Sequence, residues 1–173
     1  MKKVLMIVLS IVAVLIAAFF ATGALAEAEF QGEISTTVPA DTYTVWNYLS
    51  DIESLATRRA EIVSVEMQGT NDRGLPRWRE IPDMGGYADF EALEMIPARK
   101  LTVRMNSSSF GMTGTWSYTL EPAAENGTRI LLTENSRIDS IATRAIMTLA
   151  GRDSNLQVEA QLLNTEFAGE RAE

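Results

Sequence analysis

The chain has 173 residues, room for one domain with a sizeable core and a leader, and with 46% hydrophobic and 22% charged residues it is not a disordered sequence. It contains neither cysteine nor histidine, which excludes disulfides, thiolate nucleophiles and thiolate metal sites and removes the commonest general base and metal ligand. The net charge is −8, and because the first 26 residues hold Lys2 and Lys3 but no acid, the other 147 carry 13 bases against 23 acids; so acidic a surface repels phosphate backbones, and nucleic acid is not an expected partner.

The chain opens on Met1, Lys2 and Lys3, followed by an uncharged run from Val4 to Ala26 that is strongly apolar as far as Phe20. Small residues at Ala24 and Ala26, with acids at Glu27 and Glu29, mark a secretory signal peptide cleaved before Glu27. Val4 to Phe20 is also at the lower limit of a spanning helix, so residues 1–26 read equally as an uncleaved membrane anchor. Either way the lysines stay inside and the domain, residues 27–173, is expected outside the cytoplasmic membrane, exported or anchored.

Phe30 to Val38 has extended character. Pro39-Ala40-Asp41 then changes the period: Asp41 caps a short helix over about 41–50 carrying Val45, Tyr48 and Leu49, and Asp51 is read as the cap of a second one running through Leu55 towards Arg58. From residue 60 the period is two. Ile62–Met67, Arg77–Ile81, Tyr87–Ile96, Leu101–Met105, Phe110–Leu120 and Thr128–Ile138 read as strands, separated by turn signals such as Asn71-Asp72-Arg73-Gly74, Gly85-Gly86 and Glu125-Asn126-Gly127. Phe110, Met112, Gly114, Trp116, Tyr118 and Leu120 share one side and must face the core. Asp139 to about Gly169 carries Ala145, Leu149, Leu156, Ala160, Leu163 and Phe167 on one stripe, which predicts a long helix on the concave face, with Gly151 as a candidate kink. The expectation is an α+β fold: a curved antiparallel sheet of about seven strands wrapped round a long C-terminal helix, with two short helices after the first strand.

Several segments resemble the START-like, or SRPBCC, superfamily, which includes polyketide cyclases, lipid-transfer domains and the birch-pollen-allergen fold. Ile34 to Asp41 followed by Val45 to Asp51 is similar to that family's first strand and helix, Arg77-Trp78-Arg79-Glu80 to its third strand, and Gly114 to Pro122 with Gly127 to Ile130 to its last hairpin. The likeness covers about residues 30–168. It implies the helix-grip fold and an apolar cavity between sheet and helix; it transfers no catalytic residue, since these are packing and turn positions.

Phe90, Met105, Met112, Trp116 and Tyr118, joined by Met147 on the long helix, are the residues expected to line such a cavity, against the plainer reading that they fill the core. Glu134 shares parity with Ile130, Leu132 and Ile138, so alternation puts a carboxylate on the concave face, and if Trp78 points inward Glu80 joins it. A carboxyl in an apolar cavity has a raised pKa and can act as general acid or base or anchor a ligand's head group. Against that stand a solvated place at the cavity mouth and pairing with Arg77, Arg79 or Arg104. Lys100 sits in a turn, no phosphate-binding glycine loop appears, and no calcium-loop spacing is present; no cofactor and no metal are expected. The expected role is binding of a small hydrophobic molecule or lipid. The alternatives are a cyclase- or dehydratase-type enzyme using carboxylate chemistry and an interaction domain whose groove its own side chains fill.

Overall fold

In the computed structural model, which describes residues 1–168, the elements run α1 (Lys2–Leu25), β1 (Glu29–Val38), α2 (Thr42–Ser50), α3 (Leu55–Arg58), β2 (Ile62–Thr70), β3 (Pro76–Pro82), β4 (Ala88–Ile96), β5 (Lys100–Ser108), β6 (Met112–Pro122), β7 (Thr128–Ile138), α4 (Ile141–Ala150) and α5 (Ser154–Phe167). The seven strands form one sheet in the order β1-β7-β6-β5-β4-β3-β2, with every neighbouring pair antiparallel. β2 to β7 are a meander, as short turns between consecutive strands dictate. β1 instead pairs with β7 from Glu29↔Arg137 to Val38↔Thr128, so β1 and β2 lie at opposite edges and α2 and α3 must cross between them.

Asp41 caps α2 as expected, accepting from the Tyr43 and Thr44 amides at 2.8 and 3.1 Å, and the side-chain hydrogen bond from Thr44 heads the causes that lower its pKa. Asp51 does something other than predicted. It closes α2 rather than opening α3; Ser54 holds the N-cap position of α3 and donates to the Asp51 carboxylate.

The predicted long helix is two helices. Gly151 has φ +102°, a conformation that costs residues with a Cβ dearly, and the chain turns there. α5 alone lies on the sheet, placing Leu156, Ala160, Leu163 and Phe167 against β1 and β7; Leu163 is 1% exposed. Leu149, assigned to the same stripe, is 69% exposed. α4 packs on α1 instead, which also removes Met147 from the concave face. Gly169, the expected helix end, lies outside the described residues.

The main core joins α2, α5 and the β1-β7-β6 half of the sheet through Val38, Val45, Trp46, Leu49, Leu120, Ile130, Leu132, Leu156 and Leu163. Each large side chain buried there contributes about 1.5–3 kcal/mol. A smaller cluster of Ile52, Trp78 and Ala92 lies under the β3-β4 half. α5 rests on β1 and β7 and leaves the concave side of β3 to β5 to α2 and α3, which stand off it far enough for a cavity to form there.

Candidate functional site

The space between α5, α3 and the concave sheet is a cavity of about 660 Å³, within the usual range for small-molecule sites. Strand alternation supplies its floor: Trp78 from β3, Phe90 from β4, Val103 and Met105 from β5, Met112, Trp116 and Tyr118 from β6. Trp78 and Phe90, paired across β3 and β4, stack with ring centroids 5.4 Å apart and planes 10° apart. Leu55 of α3, Leu156 and Val158 of α5, and Ile52 between α2 and α3 form the opposite wall.

Among the ionisable side chains that interrupt this apolar lining, Arg59, Glu80, Tyr118 and Glu159 form a cluster. Arg59, just after α3, donates to Glu159 of α5 at 2.7 Å, bridging the two walls. Burial, the largest single influence, opposes the charge on Arg59, but Glu159, Tyr118 and Glu80 together outweigh it and the pKa moves up. Glu80 accepts from the Trp78 indole Nε1 at 2.9 Å; desolvation nonetheless raises its pKa, with the Trp78 bond and Arg59 pulling back and Glu159 adding to the rise. Tyr118 is desolvated and stands beside Glu159, and its pKa lies well above the ordinary phenol value. The result is a cluster able to donate hydrogen bonds from Tyr118, from Arg59 and, when protonated, from Glu80, while Glu159 accepts.

Of the nine residues singled out in the sequence, seven meet on this cavity: Trp78, Glu80, Phe90, Met105, Met112, Trp116 and Tyr118. Glu134 points inward, 3% exposed, but behind the cavity under the start of α5 rather than on its surface. There it accepts from Ser136 Oγ at 2.6 Å and leaves Oε2 without a hydrogen bond; burial raises its pKa, partly offset by Ser136, Trp116 and Asn155. Met147 stands away from the cavity on α4. Sequence reasoning missed Arg59 and Glu159. Arg59 lies in an aperiodic stretch between α3 and β2, where no pattern assigns a direction. Glu159 left a weak signal, a charge directly flanking the stripe residue Ala160 and three positions after Leu156.

Among the described residues no three His, Cys, Asp or Glu side chains gather in a geometry suited to a metal.

A curved antiparallel sheet gripping a C-terminal helix, with a deep and mainly apolar cavity between them, defines a helix-grip ligand-cavity protein. Residues 29–162 match the family described as polyketide cyclase / dehydrase and lipid transport, and the chain belongs to that family. Among solved structures it is similar to a START superfamily protein from Mycobacterium smegmatis, at 13% identity and TM-score 0.64 over 80% of this chain and 97% of that one. It is also similar to the Zhui aromatase/cyclase from Streptomyces sp. R1128, at 18% identity and TM-score 0.62 over 78% and 92% of the two chains. Norcoclaurine synthase from Thalictrum flavum aligns at 10% identity and TM-score 0.61, over 86% and 99%. At such identities the likeness concerns the fold. No curated protein sequence matches the chain.

Proposed function

We propose that this protein holds a small, largely apolar molecule, a lipid or a compound with a flat ring, between its sheet and α5, with the molecule's polar end against Tyr118, Arg59, Glu159 and Glu80. The observation that carries this reading is the coexistence of a cavity of about 660 Å³ and the cluster of Tyr118, Arg59, Glu159 and Glu80 in its mainly apolar wall. A groove filled by its own side chains would need neither. Apolar walls supply affinity through burial while a few fixed polar groups set orientation. α1, 24 residues long and apolar enough to cross a membrane, holds the domain at the membrane's outer side, since Lys2 and Lys3 are retained on the inner side.

A second reading, a carboxylate-based enzyme of the cyclase or dehydratase kind, draws support from Glu80, whose raised pKa fits it to exchange protons nearer neutrality than an ordinary glutamate. The test of the first reading is native mass spectrometry of the full chain purified gently from the cell envelope, in parallel with Met105→Trp, which fills part of the cavity floor. A defined mass that leaves on denaturation and is lost in Met105→Trp is the expected result. A clean apo mass for the unaltered chain, with no small molecule in its extract, overturns it. A molecule that is bound and chemically changed by the unaltered chain but returned unchanged by Glu80→Gln would select the enzyme.

A further inference from the structure

We propose that α4 lies in the outer interface of the membrane that α1 crosses, and that together with the β3–β4 turn it aims the open end of the cavity at the bilayer, so that the occupant of this exposed apolar face is the lipid surface. The inference rests on the anchoring half of the functional reading and not on the ligand half.

The two ends of the sheet are distinct. The chain enters β1 from α1 at the end that also holds the β3–β4 turn, the β5–β6 turn and the start of α4; the β2–β3, β4–β5 and β6–β7 turns lie at the other end. The cavity is lined from the first end by Met84, Phe110, Met112 and Asn155, and none of the three turns at the other end contributes to it. α1 fixes which end faces the membrane. Its 24 residues span about 36 Å against a hydrocarbon core of about 30 Å, so its last turn falls at the outer interface.

α4 is seated on that last turn. Gly23 is buried there, and a Cβ on it would stand 2.0 Å from the Ile141 carbonyl oxygen and 3.0 Å from the Ala145 amide, while Ala145 itself is fully buried. Glycine inside a helix costs about 1 kcal/mol relative to alanine, and here it allows a close approach of two backbones. Arg152 fastens the same junction by donating to the Glu27 and Glu29 carbonyls at 2.7 and 3.0 Å. Beyond that contact α4 leaves Ile146 55% and Leu149, one turn past Ala145, 69% exposed, and Met84 in the β3–β4 turn is 77% exposed. α4 contains no acid in a chain of net charge −8, its one charged residue being Arg144. An apolar, acid-free helix face held at interface depth by its neighbour has the character of a helix lying in the membrane surface. Thr143 joins this helix to the cavity rim, donating to the Phe110 carbonyl at 2.8 Å.

The absence of native cysteine makes site-directed spin labelling direct. Single cysteines at Ile146, Leu149 and Thr148, and one at Asp72 in the β2–β3 turn, are labelled in the full chain reconstituted in phosphatidylcholine vesicles. Relative to the label at 72, those at 146 and 149 are expected to show a several-fold higher ratio of collision with oxygen to collision with a water-soluble nickel chelate, and the label at 148 checks that α4 is still helical through its different depth. Ratios at 146 and 149 equal to that at 72 overturn the proposal, whether or not a ligand is found. A chain that shows the expected depths but carries no small molecule sinks the ligand reading and leaves this one standing.

Discussion

The two faces of the β3-β4-β5 region handle carboxylates in opposite ways. On the outer face Glu91 meets Arg104, which donates from both Nε and Nη2, and also accepts from Asn71 at 3.1 Å; these hydrogen bonds, Arg104 first, hold its pKa down to about 2. Asp89, beside it, is lowered chiefly by Arg79, at 2.7 Å. On the inner face, Glu80 lies on β3, the strand paired with the one that carries these groups, yet desolvation dominates and its pKa rises. The residue type is the same and the strand alternation is the same. What differs is that the outer face offers each carboxylate a bidentate or multiple set of donors, which satisfies the ion, whereas the cavity offers Glu80 one indole donor and a more distant guanidinium. The outer carboxylates are structural clamps; the inner one accepts from Trp78 Nε1 and has its pKa raised by burial.

Breaking the inner cluster is the largest perturbation. Arg59→Met removes the cation bonded to Glu159 and leaves that carboxylate, 13% exposed, without this partner. The expected loss is about 2–4 kcal/mol, towards the lower part of the range for a broken buried pair because the side chain of Arg59 keeps 23% of its exposure. Denaturant titration of the full chain in micelles measures it. If the cost reflects a stranded charge, adding Glu159→Leu to Arg59→Met should restore most of the stability; a double variant as unstable as the single one would show that packing by the arginine stem was responsible instead.

On the outer face the effect is smaller and depends on acid. Glu91 has its pKa lowered, so its contribution is present above the ordinary carboxylate value of 4.5 and is lost as pH falls through about 2. Glu91→Gln should therefore cost about 1–2 kcal/mol at neutral pH, discounting the full shift because Arg104 is half exposed and screened. Its stability curve and that of the unaltered chain should converge below pH 3. Parallel curves across that range would mean that Arg104 and Asn71 hold the strands together by neutral contacts.

How much of this was legible in the sequence follows from where periodicity operates. The β6 alternation of Met112, Trp116 and Tyr118 against Thr113, Thr115 and Ser117 placed three cavity residues correctly, because a half-buried strand has one solution for its two faces. The same logic turned Glu134 inward, but period two gives direction and not depth along the sheet, and only the position of α5 decides that Glu134 is sealed behind the cavity while Tyr118 lines it. The continuous stripe from Ala145 to Phe167 concealed a break, since α1 and the sheet both ask α4 and α5 for an apolar face and a single helix would satisfy the same pattern. Gly151 was the one local sign of it. Arg59 and Glu159 come from different elements 100 residues apart and meet only through the tertiary fold.

The smallest expected effect is also the sharpest test of the contrast between faces, because its sign is reversed. Glu80 has a raised pKa, so its favourable contribution is fully present below the ordinary glutamate value of 4.5 and is lost as pH rises through the folded-state pKa; at neutral pH its ionised form is a burden on the fold. Glu80→Gln keeps an oxygen that can accept from Trp78 Nε1 and removes the charge. It should therefore leave stability unchanged below pH 4 and raise it at neutral pH by under about 1 kcal/mol, the scale of a single net hydrogen-bond change. Thermal unfolding of the variant beside the unaltered chain from pH 4 to 8 reads both arms. A gain at neutral pH that grows from nothing in acid would mark Glu80 as a carboxyl held against its own preference, as a group retained for a ligand or a proton transfer must be. A loss at neutral pH would make it another clamp, paired through Arg59 in the manner of Glu91 with Arg104, and the distinction between the two faces of the sheet would fall.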